Sequence, residues 1–103
     1  DHGHVEADFH DGGRVYNDGV NKLLIRYFVR KNAWVYLTEV GSQSPLGGSP
    51  LLGVNAPIGQ MQAKRIEMNG ITYELRVTFT KLHLDAYGRD GTAEFDYELY
   101  SNK

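Results

Sequence analysis

The chain has 103 residues, of which 11 are basic and 13 acidic, and a formal charge of −2. This length fits one domain, and the 41% hydrophobic and 23% charged residues are typical of a globular protein. Without cysteine there is no disulfide framework, thiolate nucleophile or iron–sulfur cluster. The isoelectric point near 6.1 argues against a nucleic-acid binder. The longest uncharged stretch, residues 40–63, is too rich in Gly, Ser and Pro for a membrane span.

The sequence begins at Asp1 rather than Met and shows no signal peptide. We therefore expect either a removed leader or an excised piece. Of the two, we favour an exported protein that is secreted, periplasmic or located at the cell surface. The lack of cysteine is neutral here, because many exported proteins fold without disulfides.

The N-terminal segment alternates with a period of two, which predicts a strand with Val5, Ala7 and Phe9 on one side. Its other face collects potential metal ligands, namely His2, His4, Glu6, Asp8 and His10. Imidazole and carboxylate together suit zinc, copper or nickel, so we take His2, His4 and His10 as candidate metal ligands. The alternative is a solvated face on a terminal segment.

A short strand at residues 14–16 follows, between predicted turns at residues 11–13 and 17–19. The next element is a hairpin over residues 20–40 with Lys31-Asn32 at its tip. In that register Trp34 and Tyr36 lie on the core face. The reverse face is too apolar to be wholly solvated, so we expect part of it to be covered.

Residues 41–60 read GSQSPLGGSPLLGVNAPIGQ and carry no periodicity. A structureless segment of this length is uncommon in a compact domain and is usually functional or mobile. We predict a long flexible loop. Its apolar side chains are candidate binding residues, namely Leu46, Leu51, Leu52, Val54 and Ile58.

The strongest hairpin signal spans residues 61–79, with Asn69-Gly70 at the tip. This pair favours a type I′ turn, since both positions need a positive φ. The resulting register places Ile66 opposite Tyr73 on an apolar face. On the other face it places Arg65 opposite Glu74, which is a favourable charge pair.

A last hairpin joins residues 82–87 to residues 92–101, with an inward face of Ala93, Phe95, Tyr97 and Leu99. The inward parity changes between Phe79 and Leu82. A bulge near Thr80-Lys81, or a strand crossing between two sheets, explains that change. Tyr87 and Tyr100 have outer or terminal positions, so we add them to the candidate binding residues.

The same hairpin is acidic and carries Asp85, Asp90, Glu94, Asp96 and Glu98. We expect Asp85 to face Glu94 or Asp96, an unfavourable pairing that calcium, Lys81 or a basic partner would offset. A solvated acidic rim is the alternative. His83 is expected to face Asp96 or Glu98, which is more typical of a surface contact than of a general base, so no catalytic residue is assigned.

These patterns predict one all-β domain over residues 1–103, built as an immunoglobulin-like antiparallel sandwich of six to seven strands. A small β-barrel is the alternative. We find no phosphate-binding loop, nucleophile elbow or HExxH motif, so the chain is not expected to be an enzyme.

We weigh three functions. The first is a non-catalytic exported binding or assembly module of the adhesin, surface-subunit or inhibitor type, acting through the 41–60 loop and an edge strand. Its partner would be a protein, a carbohydrate or further copies of the chain. The second is a small-ligand barrel with the 41–60 loop as a lid. The third is a metal-binding protein or small enzyme that uses the N-terminal histidines.

Overall fold

The computed structural model describes residues 1–10, 12–30, 32–52, 57–85, 87 and 89–102. Within them it has eight strands, β1 (His2–Ala7), β2 (Gly12–Asn17), β3 (Lys22–Val29), β4 (Ala33–Glu39), β5 (Leu51–Leu52), β6 (Met61–Met68), β7 (Ile71–Leu84) and β8 (Gly91–Asn102). The all-β prediction is therefore confirmed. The described chain contains no helix, and so none long and apolar enough to cross a membrane.

The strands form two four-stranded sheets, ordered β1-β8-β7-β6 and β2-β3-β4-β5, in which all neighbours are antiparallel. Within the described ranges no pairing joins β1 to β2 or β5 to β6. The sheets therefore do not close into a barrel, and the predicted barrel alternative is wrong. The strand count rises to eight because Leu51 and Leu52 pair with β4.

The core lies where the inward faces of both sheets meet, and its buried residues form one apolar cluster. Tyr27 of β3 packs edge-on against Phe95 of β8, with ring centroids 5.6 Å apart. The inward alternation predicted for β8 is confirmed, since Ala93, Phe95 and Leu99 are all about 1% exposed. Strand alternation thus gives each sheet one face to bury.

The β6–β7 hairpin has the predicted turn and register. Asn69 and Gly70 have φ angles of 52° and 77°, as a type I′ turn requires. Ile66 lies opposite Tyr73 and Arg65 opposite Glu74. The Arg65–Glu74 pair is joined at 3.1 Å.

The parity change in β7 is a bulge, because the pairing with β8 shifts register between Phe79 and Lys81. The strand stays in one sheet up to Leu84, so it does not cross between sheets.

The β3–β4 hairpin differs from the prediction by one residue. The observed register pairs Val29 with Ala33 and Tyr27 with Val35, and the Arg30 N–H donates to the Asn32 carbonyl at 3.1 Å. The connection is therefore one residue longer than the predicted Lys31-Asn32 turn, of which Lys31 lies outside the described residues. A slip of one residue exchanges the two faces of a strand. The aliphatic face of β4 is consequently buried, and Trp34 is 39% exposed.

The connection between β7 and β8 is also longer than predicted, because Leu84 pairs with Gly91. Asp85 consequently faces neither Glu94 nor Asp96, and its N–H donates to the Asp90 carbonyl at 2.9 Å. The predicted partners of His83 are wrong for the same reason, since it lies opposite Thr92. Ala86 and Gly88 lie outside the described residues.

The predicted first turn is also displaced, because Gly12 and Gly13 belong to β2 rather than to a turn. A Cβ on Gly12 would lie 2.8 Å from the ring of Tyr27, and one on Gly13 would lie 2.8 Å from Leu24. These glycines therefore allow close packing within the sheet. Asp11, the first residue of the predicted turn, lies outside the described residues.

Candidate functional site

A groove of about 340 Å³ lies on the outer face of β4, between that strand and the segment that follows it. Its lining residues are Asn32, Trp34, Tyr36, Gln43, Pro45, Ser49 and Pro50. Trp34 and Tyr36 are two positions apart on one strand, so their rings project from the same face. The groove thus has an aromatic floor from the sheet and a wall from residues 43–50.

Hydrogen bonds hold this wall against the sheet. The Leu46 N–H donates to the Leu37 carbonyl at 2.7 Å. The Thr38 hydroxyl donates to the Ser44 carbonyl at 3.0 Å, and Arg26 donates to the Ser42 carbonyl at 3.1 Å. Thr38 is fully buried beneath the segment, although it belongs to the outer face of β4. The first half of the predicted loop is therefore attached to the sheet and covers Thr38, which the predicted register places on the core face.

An aromatic row extends the groove floor across the sheet. Phe28 of β3 lies opposite Trp34, with ring centroids 6.3 Å apart. The Phe9 ring continues the row, with its centroid 5.9 Å from that of Phe28. The guanidinium of Arg30 sits over the Phe9 ring at 5.4 Å. Such aromatic contacts stabilise the row and fix the ring planes.

The groove lining is uncharged. It combines two aromatic rings and two prolines with the amides of Asn32 and Gln43 and the hydroxyl of Ser49. The lining includes no His, Asp, Glu, Lys or Arg side chain. This chemistry suits recognition of a neutral ligand that has apolar faces and hydrogen-bonding groups at its rim.

The predicted binding residues do not gather at one place. Leu46 packs against the core and Leu51 is buried in β5, so both side chains belong to the interior. Ile58 and Tyr100 are about half exposed, and Tyr87 is 86% exposed. The backbone of Leu52 lies in β5, whereas Val54 lies outside the described residues.

The three predicted histidine ligands are likewise separated. Because β1 ends at Ala7, His10 leaves the alternating face, and its ring lies 3.9 Å from Asp8. His2 lies opposite Glu98, and His4 lies opposite Asp96. The group that does converge is His4 with Glu6 and Glu94. The hydrogen bond to Asp96, with further contributions from Glu94, raises the pKa of His4 above its usual value.

The predicted acidic cluster divides between two places. Asp85 and Asp90 line a depression of about 650 Å³ together with His10 and His83. Glu94, Asp96 and Glu98 instead lie on the outer face of β8. Within the described part of the chain, no three ligand atoms converge in that depression. The five acidic residues therefore do not form one cluster in the described structure.

Sequence reasoning missed Trp34 and Tyr36 as surface residues because of the one-residue register error. One signal would have found them. With Val29 opposite Ala33, the inward positions of both strands are uniformly apolar, namely Leu23, Ile25, Tyr27, Val29, Ala33, Val35 and Leu37. The chosen register instead placed Thr38 inward and left aliphatic side chains outside.

Comparisons with known proteins give no further information on this site. No family model, curated protein or solved structure matches the chain.

Proposed function

We propose that this protein is a non-catalytic binding module that recognises a neutral glycan in the groove over β4. The observation that carries the proposal is the placement of the exposed Trp34 and the half-buried Tyr36 two positions apart on one face of β4, in a lining without charge. The proposal keeps the predicted role of the segment after β4, which supplies the groove wall. It also keeps the predicted location, which is secreted, periplasmic or at the cell surface.

Ring stacking supports a sugar as the ligand. One face of a pyranose ring presents C–H groups, whereas an aromatic ring is electron-rich over its face, so the two attract each other. The hydroxyl groups at the sugar's rim need donors and acceptors. The exposed side chains of Gln43 and Ser49 offer both at the groove edge.

The absence of charge in the lining supports a neutral sugar. An anionic glycan would need Arg or Lys to offset its desolvation, and the lining residues include neither. The nearby Arg26 is directed to the Ser42 carbonyl and to Gln43, at 3.1 and 3.4 Å. It therefore shapes the groove wall.

The scaffold of this proposal is a two-layer β-sandwich. Its support is the single apolar cluster to which both four-stranded sheets contribute. An immunoglobulin-like sandwich uses Greek-key connections. The described pairings are instead a meander in each sheet, with β1 added beside β8, and give that connectivity no support.

The test uses the only tryptophan of the chain as its own reporter. Since Trp34 lies in the groove, a bound sugar should shift and change its emission. We would titrate neutral hexasaccharides of glucose and of N-acetylglucosamine, following both fluorescence and calorimetry. We expect one saturable site for at least one of these sugars. Tyr36→Ala should weaken its binding by about 2 kcal/mol, or roughly thirtyfold.

The matched control is Tyr100→Ala, which removes an equally large ring from the outer face of the other sheet. It should leave sugar affinity unchanged. Equal affinity of wild type and Tyr36→Ala would contradict the proposal. So would a panel in which no sugar binds while a proline-rich peptide does, since aromatic grooves also bind polyproline helices.

A further inference from the structure

A second cluster of reactive side chains lies on the outer face of the other sheet, where β1 pairs with β8. One ligand atom from each of His4, Glu6 and Glu94 lies within 4.8 Å of the other two. Zinc holds nitrogen and oxygen ligands at about 2.0–2.2 Å, which places ligand atoms of one coordination sphere about 3–4 Å apart. Small rotations of these side chains, of which His4 and Glu6 are exposed and Glu94 is partly buried, therefore suffice to surround one ion.

The strand register creates this cluster. Glu6 lies directly opposite Glu94, and His4 lies opposite Asp96. Like charges directly opposite each other destabilise a strand pair. Lys81 lies opposite Glu94 on β7, whereas β1 is an edge strand, so within the described residues no strand pairs with it on the far side of Glu6. A cation bound between the two glutamates would offset their repulsion.

A separate observation concerns the orientation of His4. Its Nδ1 lies 2.6 Å from an oxygen of Asp96, and since a carboxylate only accepts, Nδ1 carries the proton. In the neutral imidazole the other nitrogen, Nε2, has a free lone pair, and it lies 3.7 Å from a Glu94 oxygen. Metal-ligating histidines have this arrangement, in which the second ring nitrogen donates to a carboxylate.

We infer that β1 and β8 form a divalent transition-metal site of the zinc class, with His4 Nε2, Glu6 and Glu94 as ligands and Asp96 as the positioning residue. Imidazole and carboxylate donors without sulfur suit zinc, whereas calcium takes oxygen ligands only. Three protein ligands leave at least one coordination position open to water. The site is on a different sheet from the glycan groove and does not depend on it.

The test is calorimetric titration of the metal-free chain with zinc chloride near neutral pH. We expect one ion per chain. His4→Gln and Glu94→Gln should each weaken binding at least tenfold. The matched control is His2→Gln, which changes a histidine on the same strand and the same face but outside the cluster. It should leave zinc affinity unchanged.

To test whether Asp96 positions His4, a measurement is needed that a general loss of structure would not change. Asp96→Ala should lower zinc affinity by about 10–100-fold. In the wild type, nitrogen chemical shifts of the imidazole should show zinc on Nε2 of His4 and the proton on Nδ1. In the variant, that preference for Nε2 should be lost. Circular dichroism without zinc verifies that each variant folds.

Three outcomes would overturn the inference. The first is the absence of stoichiometric zinc binding. The second is a loss in His2→Gln as large as that in His4→Gln, which would indicate a general affinity of surface histidines. The third is coordination through Nδ1, which the contact with Asp96 forbids.

Discussion

At the scale of single residues, two buried tyrosines differ in the hydrogen bonding of their hydroxyl groups. The Tyr73 hydroxyl donates to Asp18 and accepts from Asn21, whose Nδ2 lies 2.9 Å away. Burial, together with the contact to Asp18, raises the pKa of Tyr73. The Tyr97 hydroxyl is buried beneath Gly3 and has no hydrogen-bond partner in the described structure.

This contrast predicts that removing the hydroxyl by a Tyr→Phe substitution affects stability at only one of the two positions. Tyr73→Phe should lower the free energy of unfolding by about 1–3 kcal/mol, because it removes the buried hydrogen bonds that this hydroxyl makes with Asp18 and Asn21. Tyr97→Phe serves as the control and should stay within about 0.5 kcal/mol of wild type or be more stable. Urea denaturation measures both. Equal losses would show that the hydroxyl of Tyr97 has a partner after all.

At the scale of elements, the outer face of β6, β7 and β8 is held by an ion-pair ladder. The Glu74 carboxylate receives Arg76 at 2.6 Å and Arg65 at 3.1 Å. Arg76 also lies over the ring of Tyr100, with its guanidinium carbon 4.8 Å from the centroid. The hydrogen bonds from Arg76 and then Arg65 lower the pKa of Glu74 below its usual value of 4.5.

From these ion pairs we predict that protonation of Glu74 contributes to the loss of folding stability in acid. Because the folded-state pKa of Glu74 is depressed, its contribution is present above the unfolded value of 4.5 and is lost as the pH falls through the folded value. Between about pH 7 and about pH 3, wild type should therefore lose more unfolding free energy than Glu74→Gln. Urea denaturation at both pH values tests this.

The control for this experiment is Glu67→Gln, which changes an exposed carboxylate of β6 that has no ion pair among the described contacts. It should follow wild type at both pH values. The ladder is not a source of acid sensitivity if Glu74→Gln follows wild type as well.

At the scale of the whole molecule, β1 forms one edge of the first sheet and covers β8. It pairs along its full length with β8. The backbone hydrogen bonds between the two segments continue to Asp1, whose carbonyl accepts from the Leu99 N–H at 2.7 Å. The N-terminal strand is therefore used within the chain in this structure. Without it, β8 would become an edge with unpaired N–H and C=O groups.

This arrangement predicts a change in self-association. The full chain should keep a mass near 11.6 kDa across a concentration series, whereas a variant lacking residues 1–7 should associate through the exposed edge of β8. Light scattering on a sizing column measures both. A synthetic peptide of residues 1–10 should return the shortened variant to its monomeric mass. A shortened variant that stays monomeric without the peptide would contradict this role of β1.

The sequence alone determined the fold class and the register of the hairpin with the strongest turn. Alternation fixes which residues of a strand share a face, and Asn69-Gly70 fixes the turn through its positive φ angles. These are local properties of adjacent residues. The change of parity after Phe79 was visible for the same reason, but it left open a bulge or a crossing between sheets, and only the pairing of β7 with β8 shows the bulge.

Only the tertiary structure decided the site. Alternation gives two faces, but which one is buried depends on register, and a connection longer by one residue moved Trp34 and Tyr36 from the predicted core to the surface. The pairing of β1 with β8 likewise joins residues from opposite ends of the chain, so no local pattern places His4 beside Glu94. Such contacts depend on which strands become neighbours, which is settled by burial of the whole core.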